Sequence, residues 1–86
     1  MNELFIKTIV ENVAHKVASQ VKGKVYYQFD TQDNIWLVSI KTQELGEEYF
    51  ALYELEKNLM LGTSSTIIAN NIVRYYKSRI LHKFLK

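Results

Sequence analysis

Two histidines, nine carboxylates and no cysteine are what this 86-residue chain has for chemistry. Glu11 and His15 stand four apart, a spacing that puts both on one helix face where they could share a divalent metal. Two ligands fall short of the three or four that a zinc site uses, and a solvated i,i+4 pair fits the same spacing. Ser64 and Ser65 offer hydroxyls, but no Gly-x-Ser-x-Gly surrounds them, and their place before an apolar-periodic segment suits helix capping. Glu47-Glu48 and Glu54-Glu56 are paired acids, yet an exposed segment would not give them the buried surroundings that tune a general acid. Gly23, Gly46 and Gly62 are too far apart to form a phosphate-cradling loop. The absence of cysteine excludes thiolate nucleophiles, disulfides and Cys-ligated metal. The expectation is a non-enzyme with no metal, cofactor or small-molecule substrate assigned.

Charge is more informative. The net charge of +2 hides a separation along the chain: residues 1–43 hold five lysines and four acids, residues 44–62 hold five glutamates against Lys57, and residues 63–86 hold five cations and no acid. Arg74, Lys77, Arg79, Lys83 and Lys86 are those cations; Tyr75, Arg79, His82 and Lys86 form one helical row. Such a row could contact phosphates while Tyr75 stacks on a base. Cations near a helix C-terminus also interact favourably with the backbone dipole, which explains the same residues without a ligand. The acidic segment has three readings: protection of a sheet edge, attraction of a basic partner, or a second copy's basic helix as its counterpart.

These residues are positioned by elements that the hydrophobic period makes visible. Ile6, Val10, Val13, Val17 and Val21 fall at steps of three and four, with Ile9, Ala14 and Ala18 beside them, predicting an amphipathic helix over residues 1–22 with Gly23 as its left-handed terminator. The period then becomes two. Val25, Tyr27 and Phe29 alternate with Lys24, Tyr26, Gln28 and Asp30; after the polar turn at residues 31–34, residues 35–42 form a β-branched and aromatic run suited to a central strand. So short a connection makes the pair antiparallel.

Residues 43–61 fit two templates. Leu45, Tyr49, Leu52, Leu55 and Leu59 would line a helix, whereas Tyr49, Ala51, Tyr53 and Leu55 alternating with Phe50, Leu52, Glu54 and Glu56 would make a strand. Gly46 inside a helix would cost about 1 kcal/mol relative to Ala, and a lone hairpin is a poor platform for two helices, so the strand is favoured. Residues 62–66 supply N-caps for a final helix whose stripe is Ile68, Ile72, Tyr76, Ile80 and Phe84. The expected fold is one α+β domain over residues 1–86: helix, three-stranded antiparallel meander, helix, with both helices on one sheet face. Double-stranded RNA-binding domains share that element order. There the likeness ends, because the start of the final helix, where those domains carry a lysine cluster, reads Thr63-Ser64-Ser65-Thr66-Ile67-Ile68.

If helices cover one face of the sheet, the other is aromatic. Tyr26 and either Trp36 or Leu37 would lie on it, together with either Phe50 and Leu52 or Tyr49 and Tyr53. The interface candidates are therefore Tyr26, Trp36, Phe50 and Leu52. A non-catalytic protein-interaction module, acting as a homodimer or on another protein through this face, is the leading expectation. A nucleic-acid-binding protein using Arg74, Tyr75, Lys77, Arg79, His82, Lys83 and Lys86 is the alternative. Peripheral membrane attachment through residues 73–86 ranks behind both. The N-terminal residues are broken by charge every four positions, with no apolar h-region and no 18-residue apolar run in the chain, which predicts a soluble cytoplasmic protein.

Overall fold

The computed structural model describes residues 3–85. A helix, α1 (Glu3–Ala18), leads into three strands, β1 (Lys24–Asp30), β2 (Ile35–Thr42) and β3 (Gly46–Ala51), followed by a short helix α2 (Leu55–Met60) and a long one, α3 (Ser65–Phe84). The strands form an antiparallel sheet in chain order, with β2 at the centre. This is the expected α+β architecture with α2 added.

The apolar stripe of α1 is the spine of the core. Ile6, Val10, Val13, Ala14 and Val17 are buried along it, and Val21 packs beyond its end. Valines lower intrinsic helix propensity, so α1 depends on what its stripe touches. It packs on β1 and β2 on one side and on α3 on the other. Val38, Ile40, Phe50, Leu52, Leu55, Ala69, Ile72, Val73 and Tyr76 complete the cluster.

The helix stops one turn before Gly23, correcting the expected end. The Ser19 hydroxyl donates to the Lys16 carbonyl at 2.8 Å, and the Gln20 side-chain amide donates to Asn70 Oδ1 at 3.1 Å, tying the end of α1 to α3. Gly23 does a different job. A Cβ built there would lie 2.8 Å from Thr42 Cγ2 and 2.9 Å from the Lys41 carbonyl oxygen, at a φ of +152°; only glycine lets the chain enter β1 so close to the end of β2.

Register is fixed by local chemistry. Asp30 Oδ1 accepts the backbone N–H groups of Gln32 and Asp33 at 2.9 and 3.3 Å, and Asn34 takes φ 54°, a conformation asparagine tolerates; together they close the β1–β2 turn. Val25 then stands opposite Ile40, Tyr26 opposite Ser39 and Tyr27 opposite Val38. Thr42 Oγ1 accepts the Leu45 N–H at 3.1 Å in the next turn, and β3 pairs so that Tyr49 faces Ser39 and Phe50 faces Val38.

The two templates competing over residues 43–61 are both realised, in succession. The strand runs from Gly46 to Ala51, and the Leu52 N–H still reaches the Trp36 carbonyl at 2.9 Å. Glu54 then adopts φ 53°, ending the extended run, and Leu55 to Met60 coil into α2. Ser64 caps α3, its hydroxyl oxygen accepting the Ile67 N–H at 3.3 Å.

Candidate interaction surfaces

Several of the residues that suggested catalysis have structural partners. The Tyr27 hydroxyl donates to Glu11 Oε2 at 3.3 Å, so this carboxylate joins α1 to β1 while His15 stays exposed. Partial burial, with the Glu11 charge and this hydrogen bond behind it, raises the Tyr27 pKa above that of a free phenol. Ser64 is the helix cap. Glu47 and Glu48, adjacent on β3, point to opposite faces, and Glu54 lies 3.8 Å from Lys57.

The basic row of α3 is divided among different surroundings. Arg79 reaches across to β3: its Nη1 stands 3.2 Å from Glu48 Oε2 and donates to the Tyr49 carbonyl at 3.4 Å, and its guanidinium lies 4.2 Å from the Phe50 ring centre. Lys83 Nζ donates to the Glu44 carbonyl at 3.4 Å. The acidic segment and the basic helix thus meet within one chain. Lys77 lines a cleft with Val21, Leu45, Ile80 and Phe84. Arg74 hydrogen-bonds Asn71 at 3.0 Å and lies 5.7 Å from the Tyr75 ring. Of the expected phosphate-binding residues, Arg74, Tyr75 and His82 stay exposed, and Lys86 lies outside the described residues.

The open sheet face is real, but its membership differs from the expectation. Pairing puts Val25, Tyr27 and Phe29 on the same side as Trp36, Val38, Ile40 and Phe50, the side covered by helices. Phe50 and Leu52 are buried in the core, and Trp36 is partly buried beside Tyr27 and Phe29 with ring centres 6.4 and 5.3 Å away. These three are therefore removed from the open face. Tyr26 belongs to it, and the partners pairing assigns are Leu37 and Tyr49. The strand phase decides this: a one-residue choice of phase moves every side chain to the other face, and apolar residues on both faces of β2 left that choice open.

The open face is arranged in rows. Lys24, Lys41 and Glu47 form one; Tyr26, Ser39 and Tyr49 the next; Gln28, Leu37 and Ala51 the third. Tyr26 and Tyr49 are 47% and 49% exposed, while Ser39 between them is only 3% exposed. The neighbouring Glu47 charge, followed by desolvation and a hydrogen bond, raises the Tyr49 pKa.

A further pair of features was not read from the sequence. At the end of the sheet that carries the β1–β2 turn, a groove of about 1000 Å³ opens between the start of α1 and the β3–α2 connection, with Ile6, Trp36, Leu52 and Leu55 among its lining. At the other end, every residue from Leu81 to Leu85 is exposed. The stripe Ile68–Phe84 announced this helix but not its length relative to its neighbours, so nothing marked where its cover would run out.

No helix among the described residues is long and apolar enough to cross a membrane. No family model, no curated protein and no solved structure matches the chain.

Proposed function

We propose that this protein is a cytoplasmic, non-catalytic interaction module that forms a homodimer through its open sheet face. The observation that carries the reading is the Tyr26–Ser39–Tyr49 row with Leu37 beside it. Two half-exposed tyrosines flank a sealed serine on the face opposite the buried Val38, Ile40 and Phe50. Tyrosines combine large apolar area with a hydroxyl and only two side-chain torsions, which suits them to interface centres. The face is also self-complementary in charge, since Lys24 and Lys41 lie along the same row as Glu47 and a two-fold axis could oppose them.

Solution mass by light scattering tests this at about 0.1 M and about 1 M salt, where the screening length falls about threefold. A dimer that persists at the higher salt, and that the double variant Tyr26→Glu, Tyr49→Glu abolishes while keeping a folded circular dichroism spectrum, is the expected result. Both side chains are exposed enough for the variant to fold. A wild-type monomer that instead binds single-stranded nucleic acid, with affinity lost in Arg74→Glu, would replace this reading.

A further inference from the structure

The groove and the end of α3 are complementary in polarity and lie at opposite ends of the molecule. Residues 81–85 end the long helix with Leu81, Phe84 and Leu85 at 60%, 65% and 75% exposure, apolar side chains that this chain leaves largely in water. The groove is open to solvent and about 1000 Å³ in volume. Its apolar lining is edged by Glu3, Asp33, Glu54 and Glu56 against Lys7 and Lys57, an excess of negative charge. The helix end is the opposite: Lys83 lies on it and Lys77 on the preceding turn, where Arg79 is already paired with Glu48, and no acid occurs anywhere along α3.

Position forbids the two from meeting within one molecule. The groove lies beside the β1–β2 turn, where Asp30 pairs with Ile35, whereas Lys83 of α3 touches Glu44 in the β2–β3 turn at the opposite end of the sheet. The geometry points to a second copy: the end of α3 of one protomer docks in the groove of the next, with Leu81 and Leu85, four apart on one helical face, as its anchors. The contact is heterologous, so each protomer keeps one free groove and one free helix end, and association grows with concentration into chains or a closed ring. This contact uses none of the open sheet face and stands apart from the dimer proposed above.

Two exposed-site variants test it by complementation. Tyr53→Lys places a cation at the lip of the groove, at a side chain 75% exposed; the double variant Leu81→Glu, Leu85→Glu spoils the helix end. Both should keep the wild-type circular dichroism spectrum. In sedimentation velocity the wild type should gain mass beyond a dimer as concentration rises, and each variant alone should lose that growth. An equimolar mixture should regain one contact, because each partner supplies the surface the other lacks, with affinity at least about tenfold above that of either variant alone. A mixture that associates no better than its components overturns the proposal. If all three samples are then equal dimers, the sheet-face dimer stands without the groove; if all, wild type included, are monomers, both fall.

Discussion

Tyr27 occupies a point where α1, β1 and the charge of Glu11 converge, and its ionisation is tied to folding for that reason. Burial disfavours the phenolate, and Glu11 both repels it and accepts its proton's hydrogen bond, so the folded state holds the proton more tightly than the unfolded chain does. Tyr49 is shifted in the same direction, led by the charge of Glu47. A raised phenol pKa gives stability that is complete below the unfolded value of about 10 and is lost as pH rises through the folded value. Urea midpoints compared at pH 7 and about pH 11 should therefore fall more steeply for the wild type than for Tyr27→Phe. In about 1 M salt the Tyr49 contribution should shrink the more, because a neighbouring charge leads it. An equal fall in both proteins would remove Tyr27 from the alkaline transition. Single residues were unevenly legible at this scale. The alternation of residues 24–30 put Tyr26 outward and Tyr27 inward, but Trp36 against Leu37 could be settled only by the pairing that sets Trp36 opposite Phe29.

Among the elements, α1 was the most legible and the stretch after β2 the least. An unbroken stripe of valines leaves one face to bury; residues 43–61 satisfy two periods because the strand and the helix that follow one another there are each too short to display a period of their own. The distribution of charge left the counterpart of the acidic strand open at this scale, between edge protection, a basic partner and a second copy's basic helix. Arg79 joins the acidic strand to the basic helix within one chain. Its ion pair with Glu48 is partly solvated, at 45% and 31% side-chain exposure, and such pairs contribute about 0.2–1 kcal/mol; its place over the Phe50 ring adds about 0.5–1 kcal/mol. Arg79→Ala should thus destabilise the fold by about 1–2 kcal/mol in urea titration. Arg79→Lys should recover only part of that, because an ammonium cannot lie flat on the ring and donate in plane at once. A loss smaller than that of Arg74→Ala would mean that the α3–β3 bridge does not hold α3 in place. Charge reversal at Arg79 would confuse a test of nucleic-acid binding with a loss of stability, which makes Arg74 the better probe.

The whole molecule measures 42 × 26 × 20 Å along its principal axes, and its largest fully buried side chains lie on α1 and β2. A chain of 86 residues at about 0.05–0.15 kcal/mol per residue has about 4–13 kcal/mol of stability in all, so one well-placed truncation can consume much of it. Ile40 is the largest of the fully buried side chains, lies on the central strand, and stands between Val25 and Glu48 of its two neighbours. Removing it should strip contacts from α1, β1 and β3 together. Ile→Ala substitutions of this kind cost about 2–5 kcal/mol, the larger values where the surroundings cannot collapse into the space. The other four large, fully buried side chains, Val10, Val13, Val17 and Val38, are valines with restricted rotamers, so collapse is hindered and the upper part of the range is expected for Ile40→Ala. Leu81→Ala, the same class of truncation at a side chain 60% exposed, should cost within about 0.5 kcal/mol. Urea unfolding of both variants at low protein concentration, where association cannot add stability, checks the contrast. A small loss at Ile40 would show that α1 can shift to fill the gap, and a large loss at Leu81 would show that the end of α3 already has cover in the isolated chain, removing the helix end from any partner.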